Sequence, residues 1–277
     1  MTATAALAPS PTPDFAAIKT KQRAAWGDGN YAIVGATLQI VGETLAEAAG
    51  LRPGEAVLDV AAGNGNATLA AARRFCDVTS TDYVPALLEA GRRRAEANGF
   101  EIAFQEADVE ALPFADASFD AVTSTFGAMF APNQPRTAAE MLRVTRPGGR
   151  VAMANWTPDS FIGALFKLIG RHVPPPAGVS SPALWGQPDH LRALFGPKAE
   201  IAVSERVFTF HYRSPAHWIE VFRRWYGPTK RVFDALTEEG QAQLEADLHA
   251  LAAEFNTATD GRLAAPSTYA EVIVTKR

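Results

Sequence analysis

Two aspartates and two glycines have the residue types and the spacing that a nucleoside-binding site needs. Asp59 ends the apolar run VLD, and Gly63 and Gly65 follow it in a turn before a helical pattern. Glycines in such a turn let a ligand approach the backbone because no Cβ stands in the way. Asp82 ends the next apolar run, about twenty residues further on, where a carboxylate can accept hydrogen bonds from both hydroxyls of a ribose.

A third carboxylate, Asp108, follows the next apolar run and stands before another turn. It could accept a hydrogen bond from the amino group of adenine, while the N–H of Val109 donates to a ring nitrogen. Each of these features also has a simpler interpretation. A glycine turn is common between a strand and a helix, Asp82 could cap the helix that begins near Pro85, and Asp108 could belong to a solvated loop.

The elements that must position these residues follow an alternating pattern between residues 51 and 156. Short apolar runs alternate there with helical segments, and the runs are EAVLDVAA, DVTSTD, EIAFQEAD, FDAVTSTF and GRVAMANW. This rhythm predicts parallel strands joined by right-handed crossovers, with helices on both faces of one sheet. Ligands bind such sheets at the carboxyl ends of the strands, so the three aspartates are expected around one crevice.

Four further segments surround this α/β core. Residues 1–13 are rich in Ala, Thr and Pro and predict a disordered tail, whereas residues 14–50 carry helical patterns. Residues 157–265 predict a helical cap with one core strand near 201–212. Residues 266–277 predict a final strand of the sheet.

The cap region has the composition of a ligand pocket. It holds, with Trp156, fourteen of the chain's 26 aromatic residues and all five histidines. We therefore predict substrate contacts for Phe130 at the end of the fourth strand and for Trp185, Trp225 and Tyr226 in the cap. A second hydrophobic packing layer is the alternative for each of these rings.

Histidine is the residue whose ordinary pKa suits a general base at neutral pH. His172 and His217 are predicted as candidate bases because of their position in the cap region, with His211 a further candidate. Each could equally be a hydrogen-bonded structural residue, and an acceptor that is already nucleophilic needs no base.

Composition and charge exclude several other classes of protein. The net charge of −4 gives no positive field for nucleic acid, and no apolar run is long enough for a membrane span. The first thirteen residues lack the pattern of a secretion signal, and the chain has a single cysteine, Cys76, which fits a reducing compartment. These features predict a cytoplasmic protein, and no metal-binding spacing of histidines or cysteines is present.

The core motifs together resemble the class I S-adenosylmethionine-dependent methyltransferases, of the small-molecule type found in quinone biosynthesis and bacterial secondary metabolism. The resemblance extends from Val57 to Trp156. It rests on Asp82 and on four segments in the family's order: VLDVAAGNG, EADVEALPF, FDAVTSTFG and MLRVTRPGGRVAMANW.

The resemblance implies a Rossmann-like, mostly parallel sheet of seven strands whose last strand, here best matched by residues 269–276, runs antiparallel. It implies S-adenosyl-L-methionine as the cofactor. The residues that it assigns to the cofactor, including an aromatic cover from the N-terminal helices, are Trp26, Tyr31, Asp59, Ala61, Gly63, Asn64, Gly65, Asp82, Tyr83, Asp108, Val109, Thr125 and Phe126. Ala61 departs from the family pattern, which commonly has glycine there, and an alanine is expected to require a negative φ.

The expected activity is methyl transfer, by in-line displacement, to a small acceptor that is apolar or aromatic. One alternative is an NAD(P)-dependent oxidoreductase, because GNGNAT approximates the dinucleotide fingerprint. Another is a protein of the same fold that binds the cofactor without methylating, as a sensor or a pericyclase-like enzyme. The accepting atom and the oligomeric state are left open by the sequence.

Overall fold

The computed structural model describes residues 13–277 and contains one seven-stranded sheet with helices on both faces. The predicted tail, residues 1–13, lies outside the described residues apart from Pro13. In chain order the strands are β1 (Ala56–Val60), β2 (Asp77–Asp82), β3 (Ala103–Glu106), β4 (Phe119–Thr125), β5 (Thr145–Trp156), β6 (Ala199–Tyr212) and β7 (Leu263–Lys276).

The strand order across the sheet is β3-β2-β1-β4-β5-β7-β6. Strands β1 to β5 run parallel, and β7 runs antiparallel to both of its neighbours, β5 and β6. The predicted fold class, with its antiparallel last strand, is therefore confirmed. The order also differs from the 3-2-1-4-5-6 order of a dinucleotide-binding sheet.

Eleven α-helices flank the sheet within the described residues. They are α1 (Phe15–Trp26), α2 (Tyr31–Gly35), α3 (Gln39–Ala48), α4 (Asn66–Ala72), α5 (Pro85–Ala97), α6 (Gln134–Val144), α7 (Phe161–His172), α8 (Pro188–Phe195), α9 (Pro215–Trp225), α10 (Gly227–Ala235) and α11 (Glu238–Phe255). Short 3-10 turns occupy Ala36–Leu38, Ala128–Phe130 and Pro182–Gly186.

Alternating side chains of the central strands build two apolar layers. Val57 of β1 packs against α3 and α4, whereas Leu58 and Val60 face the larger layer that the cap helices complete. All three side chains are buried. The same alternation determines on which face Asp59 lies.

The cap differs in detail from the pattern predicted for it. Helix α7 begins at Phe161, because the Ser160 side chain accepts a hydrogen bond from Gly163 N and caps it. The last strand begins at Leu263, three residues before the predicted boundary, and its whole length pairs with β6. In the part of the chain described here, every helix is too short or too polar to cross a membrane.

Candidate functional site

A cleft lies at the carboxyl ends of β1, β2 and β4, and about 750 Å³ of empty space lies within it and at its mouth. Small ligands bind parallel sheets in such a crevice at the carboxyl ends of the strands. The residues that line it are Lys19, Trp26, Tyr31, Ala61, Ala62, Gly63, Asn64, Asn66, Asp82, Tyr83, Leu87, Ala107, Asp108, Val109, Thr125, Phe126, Gly127, Phe130, Ala131 and Pro132. Most of the residues predicted to bind the cofactor are therefore brought together.

Asp82 organises the centre of the cleft. Its carboxylate accepts hydrogen bonds of 2.9 Å each from the backbone N–H groups of Gly63, in the glycine loop, and Val84. Burial raises the pKa of Asp82 to about 6, because the protein excludes the water that would stabilise its charge. Gly63 has a φ of +57°, a conformation that favours glycine, so the loop needs the residue type found there.

Asp59 lies beneath the loop and does not line the cleft. Its carboxylate accepts hydrogen bonds from Thr68 N at 2.8 Å, Thr68 Oγ1 at 2.6 Å and Thr123 Oγ1 at 3.1 Å. The reason is strand alternation, since Asp59 shares a face with Val57 and points toward α4. Gly65, the residue before α4, has no side chain to cap the helix, and Asp59 supplies the missing acceptor. The placement corrects the expectation of direct ligand contact: Asp59 supports the start of α4.

Two residues without the freedom of glycine adopt positive φ angles at the cleft, Ala61 with +47° and Phe126 with +57°. The expectation that an alanine at position 61 requires a negative φ is wrong. A positive φ at each of these residues lowers the stability of the fold by about 1 kcal/mol or more, and surrounding contacts must offset this loss. Phe126 stacks on Trp156 with ring centroids 3.8 Å apart and donates its N–H to Ala154 O. Gly127 packs directly against the backbone of Ala61.

Asp108 and Val109 form one end of the cleft. Asp108 Oδ1 accepts a hydrogen bond from Glu110 N at 2.9 Å, and Asp108 Oδ2 accepts one from Lys19 Nζ at 2.6 Å. Lys19 also pairs with the buried carboxylate of Glu110 at 2.9 Å. These contacts attach α1 to the segment predicted to hold adenine.

The polar side chains of α1 make two more contacts with the core. Arg23 pairs with Glu106 at 2.6 Å, and Gln22 Nε2 donates to Phe130 O at 3.0 Å. Ile18 is the one residue of α1 that is fully buried. Helix α1 is thus held over the cleft largely by hydrogen bonds and ion pairs.

Asn64 leaves a hydrogen-bond donor unused beneath the lining of the cleft. The residue is 1% exposed, and among residues 13–277 no acceptor lies within reach of its Nδ2. A buried donor without a partner costs free energy, and a bound ligand with an acceptor group removes that cost. The backbone of Asn64 is fixed from behind, because Arg94 Nη1 donates to its carbonyl oxygen at 2.6 Å.

Trp26, Tyr31 and Phe130 form an aromatic wall at the other end of the cleft. The ring centroid of Trp26 lies 5.5 Å from that of Tyr31 and 4.9 Å from that of Phe130. Tyr226 packs behind this wall, 5.4 Å from Trp26, and is buried outside the cleft lining. Trp225 also stays outside, with Arg224 over its ring and its carbonyl oxygen bonded to Asn30 N.

The remaining predicted substrate and base residues lie elsewhere. Trp185 is fully buried and packs against Phe195, so it does not reach the cleft. His172 Nε2 bonds Asp247 at 2.8 Å between α7 and α11, and His217 Nδ1 accepts from Arg213 N at 3.3 Å. Neither histidine lines the cleft. The side chain of His172 is directed to α11, and that of His217 to the backbone before α9.

Several lining residues were not singled out in the sequence. Lys19 has no local signal, since its acidic partners are about ninety residues away along the chain. Gly127 could have been suspected, because a glycine directly after a buried strand often marks a close backbone approach. Among the residues described, no three His, Cys, Asp or Glu side chains cluster so as to hold a metal ion.

A family model described as a methyltransferase domain matches residues 58–153. An uncharacterised protein of Mycobacterium tuberculosis is 36% identical over 252 residues, which are 89% of this chain and 92% of that protein. A demethylmenaquinone methyltransferase of Beutenbergia cavernae is 44% identical over 111 residues, 40% of this chain and 45% of that protein. The crystal structure of the YcgJ protein from a Bacillus species superposes with a TM-score of 0.60 at 19% identity, over 88% of this chain and 99% of that one.

Proposed function

Because the chain belongs to the S-adenosylmethionine-dependent methyltransferases, we propose that it methylates a small, apolar or aromatic metabolite bound against the wall of Trp26, Tyr31 and Phe130. The observation that carries this proposal is the division of the cleft. Its charged residues, Lys19, Asp82 and Asp108, stand toward one end and the centre, whereas the other end is aromatic. An oxidoreductase is not favoured by the family match or by the strand order.

The residues present fit the cofactor. Asp82 has oxygen lone pairs beyond those used by Gly63 and Val84, so it would hold the ribose hydroxyls. Asp108 and Val109, which line one end of the cleft, would hold the adenine.

When bound, S-adenosylmethionine supplies a methyl carbon attached to a positively charged sulfur, which the acceptor attacks in line. The protein's task is to orient the acceptor and exclude water, which can contribute roughly 7 to 11 kcal/mol in favourable cases. Phe126 and Phe130 would shape the acceptor space. The stacking of Phe126 on Trp156 fixes the first of these rings.

No evident base that could remove a proton from the acceptor stands among the described lining residues of the cleft. Burial raises the pKa of Tyr31 to about 12, with Asp82 adding to the effect, so its hydroxyl stays protonated at neutral pH and does not serve as a base. The two carboxylates among the described lining residues, Asp82 and Asp108, are assigned to the cofactor. We therefore propose that the acceptor arrives in its nucleophilic form, as a thiolate, an amine or an acidic phenol or enol.

The acceptor class can be tested with labelled methyl donor and a panel of thiols, amines, phenols and polyketide-like compounds. We expect label to transfer to apolar or aromatic members of the panel, at a rate that rises with pH through the acceptor's own pKa. His172→Gln and His217→Gln should retain activity within a few-fold, since neither ring lines the cleft. Transfer confined to highly charged acceptors, or a large loss in either histidine variant, would contradict the proposal.

The affinity for S-adenosylmethionine should depend on pH through Asp82. The group's pKa is raised to about 6, so below that pH its carboxyl is protonated and loses acceptor capacity for the ribose. Affinity should be constant above about pH 7 and fall as pH drops through 6, by up to about tenfold per pH unit. Calorimetric titrations from pH 5 to 8 measure this, and Asp82→Asn should remove most of the slope. Equal affinity of the unaltered protein at pH 5 and pH 8 would argue against the contact.

A further inference from the structure

Arg94 extends from helix α5 to the back of the glycine loop. Its Nη1 atom donates hydrogen bonds to Asn64 O at 2.6 Å and to Asn66 Oδ1 at 2.9 Å, and its Nη2 atom donates one to Gln39 Oε1 at 3.0 Å. Asn66 is the first residue of α4, and Gln39 is the first residue of α3. One guanidinium, which does not line the cleft, therefore joins the glycine loop to the starts of two helices.

The same hydrogen-bonded group extends to helix α2 through Asn66. The Nδ2 atom of Asn66 donates a hydrogen bond to Gly35 O at 2.7 Å, while its Oδ1 atom accepts from Arg94. Asn66 is 5% exposed, so both ends of its amide depend on these protein partners. Gly35 is the last residue of α2 and Tyr31 is the first. Two consecutive hydrogen bonds thus connect Arg94 to the helix that places Tyr31 over the cleft.

Two glycines allow α2 and α3 to approach the glycine loop closely enough for these contacts. A Cβ at Gly35 would overlap with the side chain of Asn64, and a Cβ at Gly42 of α3 would lie 2.7 Å from Asn66 O. The two helices therefore pack directly on the loop, and a shift of one segment requires a shift of the others.

The acceptors of Arg94 distinguish it from the arginines nearby. Arg73 and Arg74 form ion pairs with Glu43, whereas all three acceptors of Arg94 are neutral amide or carbonyl oxygens. A charged donor makes stronger hydrogen bonds than a neutral one, and the planar guanidinium donates in several fixed directions at once. A lysine, with one ammonium on a flexible stem, would not hold three segments in one arrangement. The residue type therefore suits a role in fixing the shape of the loop.

We propose that Arg94 is a positioning residue, which holds the glycine loop in the shape that receives the cofactor and fastens α2 and α3 to it. The proposal rests on the cofactor placement given above, and it concerns a residue that would touch neither the cofactor nor the acceptor. Without the guanidinium, the loop and α2 would move more independently. The cofactor would then have to order both segments when it binds, and its affinity would fall.

The test compares Arg94→Met, which keeps an apolar stem, with Arg93→Met at the preceding, exposed position of α5. Calorimetry measures the affinity for S-adenosylmethionine, and hydrogen exchange of the protein without ligand measures local opening. We expect Arg94→Met to weaken binding by about tenfold. It should also speed exchange in residues 31–39 and 63–66 while leaving β4, β5 and β7 unchanged. Arg93→Met should alter neither measurement.

Chemical rescue separates the role of the guanidinium from that of the space it fills. Arg94→Ala leaves room for a free guanidinium ion, so millimolar guanidinium should restore part of the affinity, compared with potassium chloride at the same ionic strength. Arg94→Lys should keep the fold and bind S-adenosylmethionine more weakly than the unaltered protein, because it retains the charge without the planar fork.

Unchanged affinity and exchange in a folded Arg94→Met protein would overturn the role of Arg94. Faster exchange throughout the sheet would also overturn it, because that result marks a general loss of stability. If Arg94→Met does not fold, Arg94→Lys decides the question, and full affinity in that variant would count against the proposal. If the unaltered protein does not bind S-adenosylmethionine, the cofactor placement fails, whereas the exchange pattern still tests whether Arg94 fastens α2 to the loop.

Discussion

Replacing Asp82 with alanine is expected to weaken S-adenosylmethionine binding by at least about thirtyfold. Hydrogen bonds to a charged group contribute about 1.5 to 3 kcal/mol each, and thirtyfold corresponds to about 2 kcal/mol. The replacement would remove the proposed ribose contact and also free the N–H of Gly63, so the glycine loop would lose its anchor on β2. Calorimetry or cofactor-dependent protection against thermal unfolding measures the loss.

A surface aspartate provides the control for this prediction. The Asp116 side chain is 80% exposed and pairs with Arg143 away from the cleft, so Asp116→Ala should leave the affinity unchanged. Circular dichroism of Asp82→Ala would separate lost binding from lost folding. Wild-type affinity in a folded Asp82→Ala protein would remove this aspartate from the proposed site.

Replacing Gly127 with alanine is expected to lower the free energy of unfolding by about 3 kcal/mol. A Cβ at Gly127 would lie 2.0 Å from Ala61 O and 2.9 Å from Ala61 Cβ. The expected loss of stability comes from this steric clash and not from backbone conformation, because the φ of Gly127, −93°, is available to any residue. The strand ends that carry Ala61 and Phe126 would have to separate, so cofactor affinity should fall as well.

Gly170 offers a contrasting position in α7. A Cβ there would meet its nearest neighbour, Pro175 Cδ, at 3.9 Å, which is ordinary contact. Alanine also favours a helix over glycine by up to about 1 kcal/mol, so Gly170→Ala should be neutral or stabilising. Urea unfolding of both variants checks the pair. Equal stability of Gly127→Ala and the unaltered protein would mean that the two strand ends are less tightly packed than described.

The residues of the candidate site were predictable from the sequence where a residue at the end of a strand lines the cleft. Asp82 is the last residue of β2, Asp108 and Val109 follow β3, and all three line the cleft. Asp59 follows the same rule in sequence, yet its side chain lies on the opposite face and supports α4. Successive residues of a strand point to opposite faces, so a shift of one position decides whether a side chain lines the cleft or faces α4. All four residues of VLDV are buried, so no alternation of apolar and polar residues shows which face Asp59 takes.

The side-chain contacts of the cap were less predictable, because each of its helices can bury its aromatic rings against more than one neighbouring element. The bounds of α11, Glu238–Phe255, agree with its pattern, since Thr237 caps it and two glutamates open it. The same patterns could not say that Trp185 would pack on Phe195, or that Tyr226 would lie behind Trp26. Each of these contacts joins segments whose relative placement no local pattern records.

The sequence by itself determined the sheet and the helices of the α/β core, because strand periodicity and glycine turns act over a few neighbouring residues. The cofactor followed from the resemblance of the core motifs to a known family. Only the tertiary structure decided which polar groups face the cleft, that Ala61 takes a positive φ, and that Lys19 meets Asp108. The physical reason is that these outcomes are set by packing between distant segments. Such packing offsets local strain and pairs charges that the chain order leaves far apart.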